Sequence, residues 1–586
     1  MTSSKIIFLL SVLFPFVSCV NKTDKNAVAT DSATFEYFSY SSQDPRYSGQ
    51  DSINQDDYYA NPILAGCYPD PSICRKGNDY YLVNSTFVYY PGIPIWHSKD
   101  LVNWEQIGYV LDRPSQLSFP KGIAISNGIY APAISYNPYN DTFYLIVTGV
   151  GNGGNFVVKT KDPAAGWSDP IFLPEVGGID PSFLFDDDGK TYIVNNDDPD
   201  YPAEYDGHRA IRIREYDIKT DKVISKSQVI IDKGVHPEDK PIWVEGPHLY
   251  HIGDYYYLMA AEGGTEEGHS EVVFISKNPT GPFTPCDINP ILTQRTLSPD
   301  RPNPITCTGH ADLIQTPEGD WWAVFLGVLP YETDKFCNTG RSTFMLPARW
   351  ENNQPIILDE GAIVPTFVEK PKSCKTTTST YGNFSYKDEF DGEKDLRWMS
   401  LRGPADEWSR IENGKLIIEK REISLSDRAT PSMLCQWMKH AYFSAETSVH
   451  FVAGDTTEMA GITCYMSDSN WFAFGLSRSK EGYPQIRVIT RSQNKLEGGN
   501  SKYHIDINKS LPSKADDMNI CLKVVAKGIT MDFYYSLNNG KKWKKLGPSF
   551  DATQLSVAKA GGFTGAVVGL FATSSIEQTI PVGFPR

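Results

Sequence analysis

The sequence predicts an all-β protein: a five-bladed β-propeller followed by an antiparallel β-sandwich. Three observations predict it. A short pattern recurs five times between residues 61 and 365: an apolar run, a Gly/Asp/Asn turn, then aromatic and β-branched residues. Long amphipathic helical stretches are absent. From residue 386 onward the repeat gives way to alternating short strands separated by turns.

The five copies follow in order. Tyr68-Pro69-Asp70-Pro71-Ser72-Ile73 leads to Asn78-Asp79-Tyr80-Tyr81-Leu82-Val83. Tyr130-Ala131-Pro132-Ala133-Ile134 leads to Asp141-Thr142-Phe143-Tyr144-Leu145. Ile179-Asp180-Pro181-Ser182-Phe183 leads to Asp188-Gly189-Lys190-Thr191-Tyr192-Ile193. Glu245-Gly246-Pro247-His248-Leu249 leads to Gly253-Asp254-Tyr255-Tyr256-Tyr257-Leu258. His310-Ala311-Asp312-Leu313 leads to Gly319-Asp320-Trp321-Trp322. Each reads as strand, hairpin turn, strand. Several copies then carry an outer-strand signature, such as Ser98-Lys99-Asp100-Leu101-Val102-Asn103-Trp104. The period of roughly 50 to 65 residues suits a four-stranded blade with long connecting loops.

The flanking segments complete the layout. Lys5 precedes an apolar run from Ile6 to Val17, ending at Phe16-Val17-Ser18-Cys19. This reads as a signal peptide over residues 1–19. A Cys directly after the cleavage point resembles a bacterial lipoprotein box, with Cys19 as the lipidated residue. The expected location is therefore outside the cytoplasm, lipid-anchored to a bacterial membrane on its periplasmic side or at the cell surface. Residues 20–60, rich in Ser, Asp, Thr, Asn and Gln, read as a flexible polar tether. A Pro/Lys/Ser/Thr-rich stretch within 366–385 reads as a linker. Residues 386–586 read as the β-sandwich, with strands such as Lys415-Leu416-Ile417-Ile418-Glu419 and Thr530-Met531-Asp532-Phe533-Tyr534-Tyr535.

Bulk composition narrows the function. The 586 residues suffice for two domains with large cores, and a net charge of −16 with no basic stripe argues against a nucleic-acid partner. Thirty-two Tyr and twelve Trp are ample for surfaces on which sugars stack, although most will fill β cores. The ten cysteines include Cys19; the other nine show no close-paired metal spacing and read mostly as buried free thiols.

In a propeller the innermost strand of each blade lines the central channel, and its first residue points into the funnel at one end. Asp70, Tyr130, Asp180, Glu245 and His310 hold that place in the five repeats. The expected ring contains three carboxyls, a phenol and an imidazole. Crowded carboxyls raise one another's pKa and keep one protonated near neutral pH. Glycoside hydrolysis needs that split: an acid protonates the leaving oxygen while a carboxylate activates water.

With these motifs the chain resembles glycoside hydrolase family 43, the inverting β-xylosidases and α-L-arabinofuranosidases on a five-bladed propeller. Further matching stretches are Ser85-Thr86-Phe87, Ala261-Glu262-Gly263-Gly264-Thr265, Gly309-His310 and Gly340-Arg341-Ser342-Thr343. The second half, opening Asp388-Glu389-Phe390-Asp391-Gly392, resembles the concanavalin-like C-terminal domain of the family's larger members. The resemblance implies that Asp70 is the general base and Glu245 the general acid, with Asp180 raising the acid's pKa and orienting it. It implies a sugar pocket lined by Phe87, Tyr130, Thr265, His310 and Arg341. It also implies an aromatic, Phe563, reaching over from the C-terminal domain to make the pocket blind and the enzyme exo-acting. The implied partner is a plant cell-wall pentose oligosaccharide or polysaccharide, and the implied activity is release of xylose from non-reducing ends. No cofactor is required for the chemistry. Some members hold a calcium ion, largely through waters, near the channel histidine, which His310 matches.

Two departures bear on specificity. Tyr130 stands where the family's xylosidases often carry Trp, and Asn195-Asn196-Asp197-Asp198-Pro199-Asp200-Tyr201 lacks the Trp expected in typical xylosidases. Both raise the α-L-arabinofuranosidase alternative. A retaining, fructan-cleaving propeller would show Arg-Asp-Pro, and this chain has Lys161-Asp162-Pro163. A non-catalytic sugar-binding propeller would be expected to have lost an acid, and all three are present.

Overall fold

The computed structural model describes residues 28–298, 300–332, 336–374, 381–498 and 502–576. The five repeats form five antiparallel sheets. Blade 1 is Ser72–Lys76, Asp79–Val83, Gly92–Ser98 and Glu105–Leu111; blade 2 is Gly128–Asn137, Thr142–Val150, Gly154–Thr160 and Ile171–Phe172. Blade 3 opens with Ile179–Phe185, Thr191–Asp197 and Ala210–Asp217; blade 4 with Glu245–Ile252, Tyr255–Glu262 and Ser270–Ser276. Blade 5 is Thr306–Gln315, Trp321–Val328, Arg341–Glu351 and Gln354–Ile356. In all five inner hairpins the turn contains a residue in the left-handed region: Gly77, Asp141, Gly189, Gly253 and Gly319, with φ from 49° to 94°. The Gly/Asp turn signal in the sequence is therefore a backbone requirement at each hairpin.

Polar side chains of the inner strands tie neighbouring blades together. Ser72 Oγ donates to Asp312 Oδ2 at 2.8 Å, joining blades 1 and 5, and accepts from the Ile134 amide of blade 2 at 3.1 Å. Ser182 Oγ donates to the Pro247 carbonyl at 2.5 Å, joining blades 3 and 4. The serine of each Asp-Pro-Ser turn is thus a strut between blades. The ring closes at its ends, where Leu64 bridges to Thr343 and Asn61 exchanges hydrogen bonds with both backbone groups of Met345.

The second domain packs a nine-stranded sheet on a six-stranded one. Its larger sheet corrects one expectation. Residues 20–60 are not a tether throughout: Ser32–Ser42 is a strand lying between Leu416–Glu419 and Tyr442–His450, within the larger sheet. Ala33 and Phe35, then after a register shift Phe38 and Tyr40, point inward and are at most 1% exposed. Tyr58–Ala60 pairs with Phe367–Glu369, so part of the expected linker is also ordered. The average polarity of the segment, and the bulge that breaks the period between Phe35 and Phe38, hid two short apolar alternations, and such alternation is what places a strand in a sheet. The signal peptide, Cys19 and residues 20–27 lie outside the described residues.

The two domains share an interface beside the propeller's open end. Tyr89 meets Trp437 edge to face at 4.5 Å between centroids, and Arg402 Nε donates to the Ile123 carbonyl at 3.0 Å. A Cβ on Gly565 would lie 2.6 Å from the Thr339 carbonyl oxygen, so glycine lets the two backbones meet. Seven of the cysteines are buried as free thiols, as their apolar surroundings in the sequence lead one to expect.

Candidate active site

The channel residues sit where the inner strands bulge. In blades 2 to 5 the register between the first two strands slips across Tyr130/Ala133, Ile179/Ser182, Glu245/His248 and Gly309/Asp312. The slipped residues include Asp180, Gly246 and His310, whose φ values are 54°, 57° and 52°. Asp70, with φ 52°, precedes Pro71-Ser72 in the same way. Left-handed backbone at a bulge turns a side chain off the sheet and into the channel.

This register corrects the expectation of a single level. Asp70, Asp180 and His310 share one position, whereas Tyr130 and Glu245 stand one residue earlier on their strands. The residue before proline marks the shared level, and in the fourth repeat that residue is Gly246. Its smallness has a use, because a Cβ there would lie 2.8 Å from His310 Nε2.

Asp70, Phe87, Tyr130, Asp180, Glu245, Thr265, His310, Arg341 and Phe563 all line one cavity of about 710 Å³. Every pocket residue named from the sequence is thus brought together. Asp70 Oδ2 accepts from Ser85 Oγ at 2.5 Å, and Oδ1 accepts from Arg341 Nη1 at 3.0 Å. The same Arg341 nitrogen donates to Thr265 Oγ1 at 3.0 Å. Asp180 Oδ2 accepts from the Gly246 amide at 3.2 Å, which holds it against the strand carrying Glu245. Phe87, itself at φ 53°, meets Tyr130 edge to face at 5.7 Å, and Tyr130 is anchored by donating to the Ser126 carbonyl at 2.6 Å. Phe563 is 45% exposed, and its amide donates to Ser126 Oγ at 3.1 Å, pinning the sandwich loop to blade 2 at the cavity rim.

The electrostatics divide the acids. Burial works to raise the Asp70 carboxyl, but Arg341, His310 and Ser85 outweigh it and hold Asp70 below its ordinary value. Burial, with the charge of Asp70 added, raises Asp180 to about 7. Burial, then Asp180 and Asp70, raise Glu245 well above the ordinary glutamate value. Burial lowers His310 to about 3 and His269 to about 4, so both imidazoles are neutral near pH 7. The surroundings therefore favour the ionised form of Asp70 and the protonated form of Glu245 in the same cavity.

Several contributors carry no signal in the sequence. Ser85 belongs to a matching stretch, yet only the fold shows that its hydroxyl holds Asp70. His269, from the edge of blade 4, packs its ring against Gly309, next to the channel residue His310, and is held by the Cys307 carbonyl at 3.0 Å. Arg209 and Trp243 enter the cavity wall from loops, where no periodic signal marks them. Among the described residues no group of three or more His, Cys, Asp or Glu side chains could hold a metal ion. The channel carboxylate of Asp312 is already engaged by Ser72, the Ile73 amide and Tyr250.

Comparison with known proteins matches this architecture. Residues 59–355 fit the family model described as Glycosyl hydrolases family 43, and residues 387–585 fit the Beta xylosidase C-terminal Concanavalin A-like domain. A xylosidase/arabinosidase of Butyrivibrio fibrisolvens is 36% identical over 528 residues, covering 88% of this chain and 96% of the relative. A non-reducing end alpha-L-arabinofuranosidase of Bacteroides ovatus is 33% identical, covering 90% and 93%. Among solved structures, a GH43_12 protein retrieved from a capybara gut metagenome is 40% identical with a TM-score of 0.84, covering 92% of this chain and 99% of that one.

Proposed function

The chain belongs to glycosyl hydrolases family 43 and is a glycosidase, and we propose that it is an exo-acting, inverting β-xylosidase that releases xylose from the non-reducing ends of xylo-oligosaccharides or xylan side chains. The observation that carries the mechanism is the opposite displacement of two carboxyls in one cavity, Asp70 down and Glu245 up. Asp70, ionised and steadied by Arg341 and Ser85, takes a proton from water as that water attacks the anomeric carbon. Glu245 gives its proton to the departing glycosidic oxygen. Asp180 keeps Glu245 protonated until that moment. Each task uses a protonation state that the surroundings already favour.

Phe563 at the rim supports the exo mode, because a ring there blocks passage of a chain through the cavity. The donor set around His310 offers no direct ligand sphere for calcium, so no step runs through a metal; any ion there would be held through water.

A second reading, α-L-arabinofuranosidase, is favoured by Tyr130 in place of a larger indole and by the arabinosidase activities named for two relatives. Side-by-side assays on aryl β-xyloside and aryl α-L-arabinofuranoside, with NMR of the first-formed anomer, test both. Retention of the anomeric configuration overturns the mechanism, and preference for the arabinoside reverses the order of the two substrates. We also propose export and lipid attachment at Cys19. Loss of the membrane-fraction signal on Cys19→Ala is the expected result, and unchanged fractionation removes the anchor.

A further inference from the structure

Trp243 stands two residues before Glu245 with φ 52°, in the left-handed region where a bulky side chain is strained. The strain is held from both sides: its amide donates to the Gly207 carbonyl at 2.8 Å, and the Ile242 carbonyl accepts from the Gly263 amide at 2.9 Å. Gly207 is itself required there, since a Cβ would lie 2.9 Å from Ile242 Cβ. The Arg209 guanidinium carbon lies 4.4 Å from the centroid of an indole ring of Trp243, and Arg209 is ion-paired to Asp198. A cation fixed over an aromatic ring immobilises that ring. The neighbouring His208 is anchored to Asp232 at 2.8 Å, so the start of this segment is also held. Trp243, Arg209 and Ile242 line the same cavity as the acids.

Chemistry decides which side of the cavity this wall serves. The general acid must face the oxygen that leaves, so the leaving sugar lies on the Glu245 side. The side chains that reach the cavity from the segment leading directly into Glu245 are Ile242 and Trp243. On the hydrolase reading above, the pentose being released is bounded instead by Asp70, Phe87, Tyr130 and Arg341, which come to the cavity from blades 1, 2 and 5. Resting on the hydrolase reading above, we propose that Trp243, backed by Arg209, is the platform on which the leaving-group sugar stacks, and that it selects a pyranose ring of an oligosaccharide over a small aglycone. The C–H face of a pyranose against an indole is the contact such a platform offers. Strain at Trp243 is then the means of presenting the ring beside the acid.

The test compares two substrates sharing the released pentose: a linear oligosaccharide, and the glycosyl fluoride, whose leaving group has no ring to stack. Trp243→Ala is expected to lower kcat/KM on the oligosaccharide by about tenfold or more, the discrimination one pocket contact supplies, and to leave the fluoride within about twofold. Trp243→Phe is expected to restore most of the loss, and Arg209→Met to reproduce part of it. An equal fall on both substrates would mark Trp243 as structural and overturn the proposal, as would an unchanged oligosaccharide rate. If the unaltered enzyme turns over neither substrate, the hydrolase reading itself fails, and that is a separate outcome.

Discussion

Arg341 Nη1 donates to Asp70 Oδ1 at 3.0 Å, and its guanidinium is the strongest of the charges holding Asp70 down against its own burial. The pH dependence follows. A base whose pKa is depressed works above that value and fails as pH falls through it. An acid whose pKa is raised works below that value and fails as pH rises through it. The pH profile of kcat/KM is therefore expected to be a bell, its acid limb set by Asp70 and its alkaline limb by the coupled Asp180–Glu245 pair. Arg341→Met removes the strongest of the contacts that oppose burial, so the acid limb moves to higher pH. Asp180→Asn removes a charge that raises Glu245, so the alkaline limb moves to lower pH. Unmoved limbs in both variants would detach these residues from the titration.

The two catalytic carboxyls are separable by leaving group. Asp70→Ala removes activation of water, which every substrate needs, and should lower kcat by about 10²–10⁴-fold or more on all of them. Glu245→Ala removes protonation of the leaving oxygen. It should cost as much on an oligosaccharide but far less on a dinitrophenyl glycoside, whose phenolate departs unaided. Equal losses on both substrates in Glu245→Ala would count against its role as acid.

Much of this site was legible because its geometry is written in turns. The five hairpin signals located the inner strands, and Asp-Pro-Ser located Asp70 and Asp180. What the letters concealed was register: Glu245 precedes a Gly-Pro step, so its alignment with Asp70 needed the bulge to be seen. Arg209 and Trp243 escaped because they come from long loops, where side-chain direction is set by tertiary contacts and not by a period. The first sandwich strand escaped for a different reason. Its partners, Leu416–Glu419 and Tyr442–His450, are about 400 residues away, and a window averaged over a polar segment sees only polarity.

That strand yields a stability prediction. Phe35, Phe38 and Tyr40 are buried in the sandwich core. Each large side chain contributes about 1.5–3 kcal/mol on burial, so losing three approaches the total stability of roughly 5–15 kcal/mol typical of a domain. A truncated chain starting at residue 45 is expected to be insoluble or to show a protease-sensitive C-terminal domain, whereas one starting at residue 28 is expected to remain folded. Equal solubility and equal protease resistance would show that the sandwich does not need this strand.

The rim contact separates affinity from folding. Phe563 is 45% exposed, so Phe563→Ala should leave the melting temperature nearly unchanged. If its ring covers bound sugar, KM rises while the bell-shaped pH profile keeps both limbs. An unchanged KM would make the sandwich loop a bystander to binding.

Gly246 offers the sharpest structural test, because a second glycine serves as its control. Both Gly246 and Gly189 are left-handed, with φ 57° and 83°, but a Cβ on Gly189 meets nothing within 4 Å while one on Gly246 meets the His310 ring at 2.8 Å. Alanine at either position carries the left-handed cost of roughly 1–2 kcal/mol. Only Gly246→Ala must also displace His310 and shift the amide that Asp180 accepts from. Gly189→Ala is expected to lower the melting temperature while kcat/KM stays within about twofold. Gly246→Ala is expected to lower the melting temperature further and to reduce kcat/KM by a larger factor, because the contact that holds Asp180 against the Glu245 strand is disturbed. If the two variants match in both measurements, the close approach of Gly246 to His310 plays no part in holding the acid pair.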